Sequence, residues 1–191
     1  MLLSTVSAYV ALAAIRDDAA RERAWADQYE ATWPDVFATY YSSWGDRGRR
    51  AEASAAVLDL VATIQRREQR AVQLVTDADD RLRQAGLMDG AEMDVVLLVG
   101  GRTSNGWVTT FRGRPTLFLA LEFLAEPPYD EILVTHESLH VAHHRLRGAD
   151  GRTPSQVLSL PRAWRWRCPG GCSRVIPTRR TCGSTPTTTV G

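Results

Sequence analysis

All four histidines of the chain lie between His136 and His144. Two of them, His136 and His140, stand four residues apart in Thr135-His136-Glu137-Ser138-Leu139-His140-Val141. On a helix, positions i and i+4 are one turn apart on the same face, so both imidazoles can reach a single ion. A glutamate directly after the first histidine projects beside that ion, where its carboxylate can take a proton from a water activated by the metal. The spacing therefore predicts zinc (Zn2+) on His136 and His140, with Glu137 as the general base of a hydrolysis. His140 and His144 repeat the spacing without a glutamate in the matching place, so His143 and His144 are read as supporting or solvated.

Three fixed positions in five recur by chance, so the elements that carry them decide the reading. Pro127-Pro128 closes the preceding segment, and a helix starting near Asp130 can run through Arg147 to a stop at Gly148. Leu133 and Val141 flank the motif with apolar residues, as a buried helix with its histidines facing an internal cleft requires. Before it, Val95 to Val99 is a continuous apolar run ending at Gly100-Gly101, the pattern of a buried strand and a turn. Trp107 to Phe111, the turn at Arg112-Gly113-Arg114-Pro115, and Thr116 to Leu121 read as a hairpin. Its outer strand offers an edge on which an extended peptide could lie. Gly100-Gly101 and Asn105-Gly106 lack the lysine and the following helix of a phosphate loop, and turn chemistry accounts for them.

From about Ala13 to Ala85 the pattern is helical. Trp25 and Tyr29 are four apart, Pro34 suits a first helical turn, and Val36, Phe37, Tyr40, Tyr41 and Trp44 lead to a stop at Gly45. Between Ala51 and Gln84 the residues Val57, Leu60, Val61, Ile64, Val72, Val75 and Leu82 recur at helical spacing, a core stripe more than a cofactor box. Met1 to Ile15 is apolar, but it has no basic leader and no convincing cleavage site and is too short to span a membrane, so a buried N-terminal helix is expected. The fold class expected is α+β: a mainly helical N-terminal half, a small antiparallel sheet or hairpin, then the His-Glu-x-x-His helix. The domain is expected over 1–150, with 1–90 helical and 91–150 holding the hairpin and motif, followed by an irregular tail over 151–191.

A chain of 191 residues is the size of one domain and can bury a core without disulfides. Its net charge is +1 with both signs interspersed through the first 150 positions, which gives no nucleic-acid footprint. Every basic residue other than histidine is arginine, a mark of GC-rich coding. The three cysteines, Cys168, Cys172 and Cys182, are odd in number and confined to the last quarter, and Cys168-Pro-Gly-Gly-Cys172 has no second pair to complete a zinc knuckle. A cytoplasmic protein acting on a peptide or protein substrate, with no nucleic acid and no membrane partner, is the expectation.

The order of helical half, strand and hairpin, then His136-Glu137-x-x-His140 resembles the zincin metallopeptidases, specifically small bacterial predicted zinc proteases of the gluzincin type. The resemblance covers roughly Met93 to Gly148, and the five-residue motif is its one highly specific element. It implies peptide-bond hydrolysis and a third zinc ligand, a glutamate on a following helix, often within Glu-Gly-Leu-Ala. No glutamate follows Glu137 in this chain, and from Gly151 to Gly191 there is no acidic residue at all. Arg162-Ala163-Trp164-Arg165-Trp166-Arg167-Cys168 points to translation out of frame. Joining the last base of each codon to the first two of the next lets Pro161 to Cys168 read Glu-Gly-Leu-Ala-Val-Ala-Leu, provided Arg162 uses an AGR codon. The missing glutamate would then open an apolar helix. As written, with two ligands assured, the chain is expected to bind zinc weakly and to be impaired as an enzyme. Two other readings stay open: a non-catalytic zinc-stabilised domain closed by Cys168 or Cys172, and a helical interaction protein with a fortuitous motif.

Overall fold

Strand β2, Asp94–Leu98, is buried at every position, which only a strand covered on both faces and flanked on both sides can satisfy. Its two neighbours come from opposite ends of the domain. On one side lies β1, Leu2–Ser4, in parallel register with Leu3 opposite Val96. On the other lies the second strand of a hairpin formed by β3, Gly106–Phe111, and β4, Arg114–Ala120. β4 runs parallel to β2 and antiparallel to β3, giving the order β1-β2-β4-β3. Arg112 and Gly113 both have positive φ, 50° and 76°, as a two-residue type I′ connection demands. The computed structural model describes residues 1–88, 90 and 92–150, all of which belong to one unit, Met1–Thr153.

The architecture is α+β, as expected, but the sheet is mixed and not antiparallel. The reason is β1. The expected N-terminal helix is instead this three-residue strand followed by α1, Val6–Leu12. Leu2 to Ser4 pair with Val95 to Leu97, because β2 needs hydrogen-bonding partners along both edges, and the long helical segment between them serves as the crossover of a parallel pair.

After α1 that segment continues with α2, Asp18–Ala24, capped where the Asp17 carboxylate accepts from Ala20 N at 2.7 Å. It continues through a π-helical turn, Trp25–Glu30, into α3, Pro34–Ser43, which has proline in its first turn. Trp25, Tyr29, Phe37 and Tyr40 are buried, as the aromatic spacing predicts, and their rings meet edge to face. Trp44 ends the run exposed. After the short α4, Arg50–Ala55, the 28-residue α5, Val57–Gln84, buries Val57, Ile64, Ala71, Leu74, Val75, Ala78 and Leu82. Leu60, Val61 and Val72 are half-buried beside this stripe. No described helix is long and apolar enough to cross a membrane.

The last described helix, α6, spans Tyr129–Asp150 and passes the expected stop at Gly148. It packs against α5, β3 and β4. Val134, Ser138, Val141 and Ala142 are buried along one stripe, and Leu133 and Leu146 are half-buried beside it. Burying one such valine side chain is worth about 1.5–3 kcal/mol. The first turn is tied to α5 by Arg70, whose Nε meets the fully buried Asp130 at 2.8 Å while another of its nitrogens reaches Glu131 at 2.8 Å. Expectations for 151–191, among them the irregular tail, its reading frame and the places of Trp164, Trp166, Cys168 and Cys172, lie outside the described residues.

Candidate metal centre

The inward stripe of α6 fixes where the motif points. Ser138 lies on the buried stripe, and the residues on either side of it diverge. Glu137 is half-buried on the flank facing β3, while His136 and His140 are exposed on the next face round. The expectation that the histidines face an internal cleft is thus not met among the described residues: α6 is buried on one side, and the histidines stand on its open side. Ile132 and Leu139, each within one turn of His136, are exposed on that face as well.

The two imidazoles converge. Their Nε2 atoms are 3.0 Å apart, and the rings meet nearly perpendicular with centroids at 4.7 Å. Two nitrogens bound to one zinc ion at about 2.0–2.1 Å and the tetrahedral angle would stand about 3.3 Å apart, so the pair needs to open by only a few tenths of an ångström. With no ion between them, the same contact is one ring donating its N–H to the other. The pair fits two positions of a metal site. A third protein donor is another matter: among the described residues no group of three His, Cys, Asp or Glu side chains is placed to hold an ion. His143 is half-buried and His144 exposed, with ring centroids 6.4 Å apart.

Glu137 meets the sheet at Gly106. A Cβ placed on Gly106 would lie 3.3 Å from Glu137 Cγ, 3.2 Å from Leu119 Cδ2 and 3.6 Å from Leu133 Cδ1. The first residue of the edge strand thus sits directly against the stem of the candidate base. Asn105 O accepts from Ala120 N at 2.9 Å, which makes Asn105 and Ala120 a hydrogen-bonded pair. The alternation of an antiparallel ladder then turns the backbone N–H and C=O of Val108, and the C=O of Gly106, toward the open side of β3.

The loop that delivers Gly106 is held by side chains distant in sequence. Leaving β2, four consecutive backbone N–H groups each find a side-chain acceptor. Val99 N donates to the Tyr29 hydroxyl at 3.0 Å and Gly101 N to the Tyr40 hydroxyl at 2.8 Å. Gly100 N and Arg102 N both donate to Glu122 Oε1, at 3.0 and 3.2 Å. Arg102 adopts the left-handed conformation, φ 59°, so N–H groups of the loop turn inward as a nest filled by the Glu122 carboxyl group. Arg67 on α5 donates to the carbonyls of Leu121 and Glu122, pinning the turn after β4. Burial holds the Glu122 carboxyl above the usual carboxylate range, outweighing the lowering by the Gly100 and Arg102 N–H groups. Burial likewise raises the Tyr29 and Tyr40 hydroxyls and keeps them neutral.

Of these residues, sequence reasoning singled out His136, Glu137 and His140 and placed the edge strand before them. It passed over Gly106 and Glu122. Gly106 was assigned to a turn, and the one available signal was a glycine at the head of a strand pattern. Family models, curated proteins and solved structures all return no match to this chain.

Proposed function

We propose that the chain is a zinc-dependent metallopeptidase-like protein in which α6 is the active-site helix. The observation that carries this reading is the convergence of His136 and His140 Nε2 to 3.0 Å on the helix whose next residue, Glu137, lies against an open sheet edge. His136 and His140 would hold the ion, which when bound supplies a Lewis acid for the scissile carbonyl and lowers the pKa of a water toward 7. The chain's own residues do the rest. An extended peptide hydrogen-bonds to the outward backbone groups of Gly106 and Val108 as an added strand. The Glu137 carboxylate accepts the proton of the attacking water and passes it to the leaving amine.

Two imidazoles alone bind zinc weakly, so on this reading the chain as written is impaired until a third donor is supplied. The test is a zinc titration followed by turnover of an unstructured protein substrate, made on this chain and on one re-encoded from Pro161 in the alternative frame. Zinc binding that survives loss of both His136 and His140 refutes the site. Tight binding through Cys168 or Cys172, with no exchangeable water on the ion, favours a closed structural zinc domain.

A further inference from the structure

Glycine is a poor strand residue, and it is tolerated where the backbone needs a positive φ or where space must stay empty. Gly106 has no positive φ, unlike Gly86, Gly90 and Gly113, so its backbone would suit any residue. Its backbone N–H is bonded to Asn105 Oδ1 at 2.8 Å, and its strand register is regular. What a side chain would change is space. A Cβ would stand 3.2 Å from Leu119 Cδ2 and 3.3 Å from Glu137 Cγ, both tighter than ordinary van der Waals contact. Leu119 is buried in the sheet, whereas Glu137 is only half-buried and has room to swing outward on α6. The side chain that yields is therefore Glu137.

We infer that Gly106 is a positioning residue for Glu137: the volume left by its missing side chain lets the Glu137 stem lie against the head of the edge strand, and this sets where the carboxylate points. The inference rests on Glu137 being the general base. Any larger residue at 106 pushes the Glu137 stem off the head of the edge strand while leaving His136 and His140 in place. Substitution here acts on the base and not on the ligands.

The experiment is a double-mutant cycle on the full chain with Gly106→Ala, Glu137→Ala and the pair, Glu137→Ala having no Cγ to crowd. The expected result is that Gly106→Ala lowers the melting temperature in the Glu137 background and is neutral or stabilising in the Glu137→Ala background. The NOE between Gly106 Hα and Glu137 Hγ expected of the parent should have no counterpart in the Gly106→Ala variant. In a chain that turns over substrate, Gly106→Ala should lower kcat at least tenfold with KM and zinc affinity within twofold, a split that a general loss of stability does not produce. If Gly106→Ala fails to fold but the double variant folds, the inference stands. If both fail, or if the Gly106→Ala effect is the same in both backgrounds, the crowding is with Leu119 and the inference is overturned. A re-encoded chain that binds zinc but shows no hydrolysis refutes the proposed function alone, because the stability cycle and the NOE still decide the contact.

Discussion

Glu122 offers the sharpest test of how the site's supporting loop is held. Replacing it with alanine removes the acceptor for both Gly100 N and Arg102 N, in a place where water has little access. The buried Gly100 N–H left unpaired costs about 1–3 kcal/mol and the part-buried Arg102 N–H adds less, so Glu122→Ala should destabilise by roughly 1–4 kcal/mol. For a chain of this length that lowers Tm by roughly 2–16 °C. Glu122→Gln keeps an oxygen for both donors and differs from the parent only in charge and in one terminal amide. The sign with pH follows from burial, which raises the carboxyl's pKa in the folded state. Stability tied to the protonated form is fully present below the unfolded pKa and is lost as pH rises through the folded pKa. Glu122→Gln has no such titration, so its stability relative to the parent should rise as pH rises above the range in which the unfolded carboxyl titrates. That gain should shrink as acidification protonates Glu122. Urea midpoints of the three proteins across a pH series measure this. If Glu122→Gln is as damaging as Glu122→Ala at neutral pH, or if the gap between Glu122→Gln and parent does not change with pH, the account of the nest is wrong.

Three further outcomes test the metal reading. His136→Ala and His140→Ala should each weaken zinc binding by at least about 100-fold in calorimetric titration, since loss of an outer-shell partner alone costs 10–100-fold. Unchanged binding in either variant would place the metal elsewhere. Glu137→Gln should abolish hydrolysis in any active form of the protein while leaving zinc affinity nearly unchanged, because the amide keeps the shape but takes no proton; full activity in that variant removes Glu137 as the base. Re-encoding from Pro161 in the alternative frame should raise zinc affinity and stability together, because a carboxylate ligand and an apolar helix would return at once. A re-encoded chain that binds zinc no better than the chain as written would remove the out-of-frame explanation.

The parts of this fold that were legible in sequence are those with local periodicity. The 28-residue stripe of α5, the aromatic spacing from Trp25 to Tyr40 and the hairpin closed at Arg112-Gly113 all follow from residues within a few positions of one another. β1 was not legible, because three residues show no period, and Leu2 to Ser4 become a strand only by pairing with Val95 to Leu97. The one hint was the unbroken apolar run of β2, whose demand for two covered faces and two neighbours implies parallel partners. The nest was invisible for the same reason: its acceptors come from Tyr29, Tyr40 and Glu122, far from the N–H groups they satisfy.

The candidate site divides along the same line. The His136 and His140 pair is a property of one helix, so a spacing of four residues suffices to bring the two nitrogens to 3.0 Å. What surrounds the pair is tertiary. Glu137 is set by β3 through Gly106, Gly106 is delivered by the loop from Gly100 to Asn105, and that loop is anchored by Glu122. On the proposed reading, the motif specifies the donors, while the position of the base is decided far upstream, at a glycine that leaves space for its stem. Mutations at Gly106 and at Glu122 should therefore impair the base while the histidine pair stays intact, and mutations on the histidines should abolish metal binding while the Glu122 nest stays intact. Those two losses are separable only if the base is held by the sheet and the ligands by the helix.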